Sequence, residues 1–178
     1  MNLSKKDDDN LWISWDEYHR MIEYLAFIIY ESQWKFDQIL CLARGGLRVG
    51  DHLSRIYGLP LAILATSSYH DSTGMVRSDL DIAQHITITR GALKGRVLLV
   101  DDLVDSGVTI QRVLFHLKDR FPEVTEIRSA VLWCKSRSIL VPDYYVKFLL
   151  MNPWIHQPFE YYDALSPENL SILIRRSK

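Results

Sequence analysis

Apolar residues recur along this chain with two different periods, and the change between them predicts alternating strands and helices. Short, largely apolar or alternating runs typical of strands cover residues 36–43, 61–69, 83–90, 96–102, 126–135 and 143–150. Apolar positions at helical spacing cover residues 15–32, 48–58, 109–121 and 166–176. This alternation predicts an α/β fold, with a mainly parallel, twisted sheet flanked by helices.

Local signals place several of the predicted element ends. The stretch "SWDE" predicts a capping box in which Ser14 caps the first helix and Glu17 reaches back. Gly58 is expected to end the second helix, and Pro167 to open the last one. Residues 70–81, "HDSTGMVRSDLD", are polar and without a period, and they are interpreted as a long loop.

Length and composition indicate one folded domain. The chain has 178 residues, 48% hydrophobic and 24% charged, with a formal net charge of −1. We expect a flexible tail over residues 1–11 and a single domain over residues 12–178. The near-neutral charge argues against recruitment by nucleic acid or by a membrane surface.

The two cysteines and the absence of long apolar runs suggest a cytoplasmic protein. Cys41 and Cys134 stand in apolar surroundings without metal-ligand spacing, so free core thiols in a reducing compartment are expected. The polar start lacks the apolar region of a signal peptide, and no apolar run reaches the roughly 18 residues that a membrane span needs.

The stretch "LLVDDLVDSGVTI" (98–110) concentrates polar chemistry after a buried strand. In open α/β sheets, ligands bind beyond the carboxyl ends of the strands. The turn "DSGVT" feeds a helix, and its amides with the Ser106 and Thr109 hydroxyls suit a phosphate. A tight turn with an ordinary helix cap is the alternative.

Carboxylates beside that turn extend the interpretation. Asp101 and Asp102 suit ribose hydroxyls or a hard cation such as Mg²⁺, and Asp105 could transfer a proton. Other phosphate motifs fail, since Gly45 and Gly50 have the spacing of a P-loop but Asp51 stands where lysine is required.

The motif "VLLVDDLVDSGVT" resembles the signature by which type I phosphoribosyltransferases bind 5-phosphoribosyl 1-pyrophosphate (PRPP). "ARGGL" (43–47) resembles the family's pyrophosphate loop, and "SSYHDSTGMVR" (67–77) its mobile catalytic loop. The order of motifs is most similar to the small bacterial and archaeal purine enzymes of the xanthine-guanine and hypoxanthine kind. The resemblance covers roughly residues 12 to 163.

This resemblance implies a Mg²⁺-dependent enzyme of purine salvage. It would transfer the phosphoribosyl group of PRPP to a 6-oxopurine, namely hypoxanthine, guanine or xanthine, giving a nucleoside monophosphate and pyrophosphate. A homo-oligomer, dimer or tetramer, is also implied. A PRPP-sensing regulatory protein of the same fold is the alternative, and a non-purine phosphoribosyltransferase is a weaker third.

The resemblance also implies a role for each part of the site. The 5-phosphate would be held by Asp105, Ser106, Gly107, Val108 and Thr109. Pyrophosphate would be held by Ala43, Arg44, Gly45 and Gly46, with a cis peptide expected before Arg44. Asp101 and Asp102 would bind ribose and Mg²⁺, while Asp105 and Arg77 would be catalytic, Arg77 closing over pyrophosphate with the loop that includes Ser67, Ser68 and Tyr69.

The base would be bound by Lys135, Trp154 and Ile155, the last two within a covering segment at about residues 150–178. Blander alternatives stay open: Asp105 as a helix cap, Lys135 as a solvated strand end and Trp154 as a core plug. His156 stands where the bacterial xanthine-guanine enzymes carry an acid, which leaves the preferred base open.

Overall fold

The computed structural model describes the backbone of residues 10–70 and 76–176, and the side chains of residues 10–67 and 81–176. Its elements, in chain order, are β1 (Asn10–Trp12), α1 (Trp15–Glu31), β2 (Gln38–Ala43), α2 (Gly46–Tyr57), β3 (Leu61–His70), β4 (Val76–Ile82), β5 (Thr87–Ile88), β6 (Gly95–Val100), β7 (Leu103–Val104), α3 (Val108–Arg120), β8 (Val124–Lys135), β9 (Tyr144–Leu149), β10 (Trp154–His156), a 3-10 turn (Glu160–Ala164) and α4 (Pro167–Arg176). They fall into two compact units, one of Met21–Met151 and one of residues up to Arg20 together with those from Asn152.

The first unit, Met21–Met151, contains an eight-stranded sheet. Its main order is β4-β3-β2-β6-β8-β7, with β5 paired to β3 and β9 paired to β8. All pairings within one group of six strands are parallel, and this group consists of β2, β3, β6, β7, β8 and β9. The other two strands, β4 and β5, run antiparallel to β3. The predicted α/β fold with a mainly parallel sheet is therefore confirmed.

Alternate residues of the central strands bury one face of this sheet against α3. Leu40 and Leu42 of β2 and Val97 and Leu99 of β6 belong to one buried cluster. The helix contributes its apolar stripe to the same cluster, namely Ile110, Val113 and Leu117. This burial fixes β6 against α3, and the polar stretch that joins them lies at the carboxyl end of β6.

Residues 70–81 were predicted as a long loop, and this prediction is wrong over the described part. β4 pairs antiparallel with β3, with Thr66 opposite Ile82 and His70 opposite Val76. Val76, Leu80 and Ile82 stand at even positions, a period of two that the intervening polar residues conceal. Residues 71–75 lie outside the described part of the chain.

The predicted strand over residues 83–90 is also wrong in extent, because only Thr87–Ile88 pairs. β5 contacts β3 at Ala62 and Ile63, whereas β4 occupies the same edge from Thr66 onward. The edge left to β5 is therefore short.

The second unit contains a two-stranded sheet. β1 pairs in parallel with β10, so Asn10 and Leu11, which were assigned to the predicted tail, lie in a strand opposite Trp154 and Ile155. Residues 1–9 lie outside the described residues. The predicted capping box is present, since Glu17 accepts the Ser14 N–H at 2.9 Å and donates its own N–H to the Ser14 hydroxyl.

Both cysteines are buried with free thiols, as predicted. Burial raises the pKa of the Cys41 thiol to about 12, and it raises the pKa of Cys134 as well. Among the helices in the described residues, none is both long enough and apolar enough to cross a bilayer.

Candidate active site

A cavity of about 230 Å³ lies where β6 ends and α3 begins. It is lined by Asp101, Asp102, Leu103, Val104, Asp105, Ser106, Gly107, Thr109 and Ile110. The polar stretch singled out in the sequence therefore surrounds one space at the carboxyl end of a central parallel strand. This is the usual position of a ligand site in an open α/β sheet.

The turn before α3 depends on a glycine. Gly107 has φ 82° and ψ −7°, the left-handed conformation that side chains disfavour, and α3 begins at the next residue. A β-carbon on Gly107 would lie 2.5 Å from the Ser138 hydroxyl oxygen. The Ile139 N–H donates to the Ser106 carbonyl at 2.9 Å, so the segment after β8 supports the turn from outside.

Asp101 and Asp102 lie just beyond the end of β6, which stops at Val100 rather than at the predicted residue 102. The Asp101 carboxyl accepts the Asp102 N–H at 3.0 Å, and Asp102 accepts the Leu103 N–H at 2.8 Å. β7 then resumes pairing with β8. The two acids thus occupy a break between strands that both pair with β8.

The environment of Asp101 favours its protonated form. Burial and, next, the negative charge of Asp102 raise the pKa of Asp101 well above its ordinary value. Hydrogen bonds from the backbone of Asp102 and Gly46 act in the opposite direction without reversing it. Ionisation of Asp101 is therefore unfavourable here, and a bound hydrogen-bond donor or cation would favour it.

Asp105 is surrounded by cations. The Arg137 guanidinium donates hydrogen bonds to both carboxylate oxygens of Asp105, and the Lys135 Nζ lies 3.6 Å from one of them. Burial raises the pKa of Asp105, but the Arg137 hydrogen bonds and the charges of Lys135 and Arg137 outweigh it, so the net pKa is lowered. Asp105 is ionised in this arrangement.

Two alternatives from the sequence are excluded by these contacts. The N-cap of α3 is Gly107, which has no side-chain cap, so Asp105 does not cap that helix. Lys135 is 5% exposed and is thus a buried cation beside Asp105 rather than a solvated strand end.

The loop after β2 approaches the acid pair closely. The peptide bond between Ala43 and Arg44 is cis, as predicted. A β-carbon on Gly45 would lie 2.5 Å from an Asp102 carboxylate oxygen, and one on Gly46 would lie 2.5 Å from the Val100 carbonyl oxygen. The glycine pair therefore lets this loop contact the end of β6, a packing reason that adds to the expected approach of a ligand.

The predicted catalytic loop is placed only through its backbone. Arg77 lies in β4, and Ser67, Ser68 and Tyr69 lie in β3, so these positions belong to a strand pair. Arg77 is among the residues whose side chains are not described. Its catalytic role stays a prediction.

Trp154 and Ile155 belong to the second unit. Within it, Trp154 is exposed and Ile155 is buried. The neighbouring His156 stacks on Trp12 with ring centroids 3.7 Å apart, and its Nε2 lies 3.0 Å from the Asn10 side-chain oxygen. The residue that departs from the family pattern therefore has a structural use in its own unit. The base-binding roles of Trp154 and Ile155 stay predictions.

Sequence reasoning missed Arg137. The segment "WCKSRS" (133–138) contains the end of the predicted strand over residues 126–135, and within it only Lys135 was assigned a role. The available signal was two cations two residues apart, following a strand whose carboxyl end faces an acidic turn. Their pairing with Asp105 depends on the fold and cannot be found by spacing alone.

The fold and the cavity define a class: a mainly parallel α/β protein with a glycine turn and an acid pair at the strand ends. A family model described as "Phosphoribosyl transferase domain" matches residues 14–164. The chain therefore belongs to the phosphoribosyltransferase family, a family of transferases.

Solved structures give the same relationship. The chain is 33% identical to a purine phosphoribosyltransferase from Pyrococcus horikoshii Ot3, over 85% of this chain and 94% of that one, with a TM-score of 0.69. It is 26% identical to the xanthine-guanine-hypoxanthine phosphoribosyltransferase of Helicobacter pylori, over 92% and 99%, with a TM-score of 0.71. A hypothetical protein from Neisseria gonorrhoeae with bound ppGpp is 25% identical, over 96% and 98%, also at 0.71.

Proposed function

We propose that this chain transfers the 5-phosphoribosyl group of PRPP to a 6-oxopurine, releasing pyrophosphate and forming a nucleoside monophosphate. The observation that carries the proposal is the cavity lined jointly by Asp101, Asp102 and the turn of residues 105–109. Similarity to two enzymes named as purine phosphoribosyltransferases supports the purine assignment.

The residues of the turn and the neighbouring loop divide the charged ends of PRPP between them. The amides of Gly107, Val108 and Thr109, with the Ser106 and Thr109 hydroxyls, bind the 5-phosphate at the N-terminus of α3. Arg44 and the backbone of the Gly45–Gly46 segment bind pyrophosphate, since a charge-assisted bond to its oxygens strengthens as the group departs. Arg77 adds charge from β4.

Asp101 and Asp102 bind the ribose hydroxyls and hold Mg²⁺. Within the described residues, no cluster of three or more His, Cys, Asp or Glu could hold a metal. Mg²⁺ is commonly bound by one or two carboxylates together with substrate oxygens, so this pair fits it. When bound, the ion neutralises charge that develops on pyrophosphate. Burial and the charge of Asp102 raise the pKa of Asp101, and a bound cation would favour its ionised form.

The transfer breaks one bond to ribose C1′ and forms another. The bond between ribose C1′ and the pyrophosphate oxygen breaks, and pyrophosphate leaves with the electron pair. The purine N9 forms the new bond to C1′, and the proton on N7 passes to the ionised Asp105. Lys135 donates to the exocyclic oxygen of the purine.

An assay with four bases tests this proposal. The protein is incubated with PRPP, Mg²⁺ and hypoxanthine, guanine, xanthine or adenine, and nucleotide and pyrophosphate are measured. We expect turnover with at least one 6-oxopurine and little with adenine, because adenine presents an amino group to Lys135. Transfer to adenine alone would contradict the assignment.

Nucleotide sensing without transfer is the second candidate function. The neighbouring structure from Neisseria gonorrhoeae with bound ppGpp favours it. Binding of PRPP or ppGpp without turnover on any base would support sensing. Inhibition of an active transferase by ppGpp would instead make that nucleotide a regulator of the proposed enzyme.

A further inference from the structure

Both oxygens of the Asp105 carboxylate, the proposed proton acceptor, already accept hydrogen bonds from the protein before a base binds. Arg137 donates to both oxygens of Asp105 from its Nε and one terminal nitrogen. A guanidinium in this two-point arrangement fixes the plane of a carboxylate, which a single ammonium cannot do. The orientation of Asp105 therefore depends on Arg137 more than on Lys135, whose Nζ lies 3.6 Å away.

Arg137 is itself held in place by its own segment. The Ser138 N–H donates to the Lys135 carbonyl at 3.1 Å, which closes a tight turn around Arg137. The next residue, Ile139, donates its N–H to the Ser106 carbonyl at 2.9 Å. The turn carrying the guanidinium is thus fastened both to the end of β8 and to the residue that follows Asp105.

The two cations beside Asp105 differ in their freedom to move. The Lys135 side chain is 6% exposed, whereas the Arg137 side chain is 55% exposed. Because the guanidinium faces solvent, water can replace a hydrogen bond that Arg137 gives up, which lowers the cost of releasing one oxygen. Arg137 can therefore release one carboxylate oxygen to a ligand, while Lys135 stays beside the other groups of the site.

We propose that Arg137 is a positioning residue for the transfer: it orients the Asp105 carboxylate before a purine binds and yields one oxygen to the N–H of the incoming purine. This inference rests on the proposed function and adds a residue to it. Arg137 does not touch the reacting atoms, and it acts through Asp105.

Burial and the neighbouring cations have opposite effects on the pKa of Asp105, so the loss of Arg137 can be measured as a change in the pH dependence of the reaction. Asp101 and Asp102 line the same cavity, but burial is what raises the pKa of Asp105. Arg137 and Lys135 favour the ionised form that accepts the proton. Removing Arg137 should therefore impair the reaction most at acidic pH, where the remaining Lys135 no longer keeps Asp105 fully ionised.

The test compares Arg137→Met and Arg137→Lys with wild type, and it uses Arg55→Met as a matched control. Arg55 pairs with Asp51 at 3.0 Å on the exposed side of α2, so its loss removes an ion pair that does not involve Asp105. For each protein, kcat and the KM values for PRPP and for the base are measured at about pH 5 and about pH 7.5, with the melting temperature.

We expect kcat of Arg137→Met to fall about tenfold at the higher pH, as misorientation of a reacting group does, with the KM for PRPP unchanged. The fall should be larger at the lower pH. Arg137→Lys should restore the pH dependence, because it restores the charge, but not the full kcat, because a lysine cannot hold both oxygens. Arg55→Met should match wild type in both.

A purely structural role would lower the melting temperature and leave kcat within twofold of wild type, with an unchanged pH dependence. That result would overturn the inference, and so would full recovery of kcat by Arg137→Lys. If wild type transfers the phosphoribosyl group to none of the bases, the proposed function itself fails, and this inference fails with it.

Discussion

Replacing Gly107 with alanine tests whether the phosphate turn is defined by its own backbone or also by the segment packed against it. At φ 82° a non-glycine residue costs about 1–2 kcal/mol relative to glycine. The new β-carbon would also lie 2.5 Å from the Ser138 hydroxyl oxygen. That hydroxyl donates to the Leu140 carbonyl at 2.6 Å and accepts the Leu140 N–H at 3.3 Å, so it cannot move without losing bonds.

The chain offers a matched control that separates these two costs. Gly58 has φ 65° and a β-carbon there would meet nothing within 4 Å, so Gly58→Ala carries the backbone cost alone. Hydrogen bonds contribute about 0.5–1.5 kcal/mol each, so with both Ser138 bonds lost Gly107→Ala should cost about 2–5 kcal/mol in total. Gly58→Ala should cost about 1–2 kcal/mol.

Chemical denaturation of the two variants and of the double variant Gly107→Ala/Ser138→Ala measures these free energies of unfolding. Measured against the single variant Ser138→Ala, which already lacks the hydroxyl and its two hydrogen bonds, the double variant should cost only about the 1–2 kcal/mol of the backbone, as Gly58→Ala does. We also expect Gly107→Ala to weaken PRPP binding in calorimetry, while Gly58→Ala leaves it unchanged. Equal destabilisation by Gly107→Ala and Gly58→Ala would refute the idea that Ser138 defines the turn.

Three further predictions follow from single contacts. Because the folded pKa of Asp105 is lowered, its stabilising contribution is full above its unfolded pKa of about 3.9 and is lost as the pH falls through the folded value; in urea titrations Asp105→Asn should therefore cost about 1 kcal/mol at neutral pH, after allowance for solvent screening, and progressively less as the pH falls below about 3.9. Cys41 and Cys134 should resist a thiol reagent at about pH 8 in the native protein and both react in guanidinium, because both are buried; fast native labelling of either would contradict this. Ser14→Ala should cost about 1 kcal/mol by removing the capping box, whereas Ser14→Thr should keep most of it.

The sheet and its flanking helices were predictable because burial leaves a period in the sequence. β2, β6 and β8 lie at the centre of the sheet, and short apolar runs such as "ILCLA", followed by a turn signal, are typical of a buried strand. At the sheet edge the same reasoning fails. β4 carries polar residues between its apolar ones, and β5 is limited by the length of strand that its neighbour leaves unpaired.

The candidate site divides in the same way. The turn of residues 105–109 and the acids before it are contiguous, so one motif reveals them. Arg137 is 32 residues from Asp105 and meets it only because β7 and β8 pair in parallel and end together. Because the contact between Arg137 and Asp105 depends on this strand pairing, the spacing of the two residues in the sequence does not predict it.

Crowded carboxylates at a strand end are costly, and the fold offsets this cost unequally among the three. Asp105 is matched by Lys135 and Arg137, so its charge is balanced before any ligand binds. Asp102 receives the Leu103 N–H. Asp101 is left with burial and the charge of Asp102, both of which disfavour its ionisation. The uncompensated cost is thus concentrated on one residue. Hydroxyl donors or a cation at Asp101 would offset that cost and favour the ionised form, so a sugar or metal that binds there should lower the pKa of Asp101.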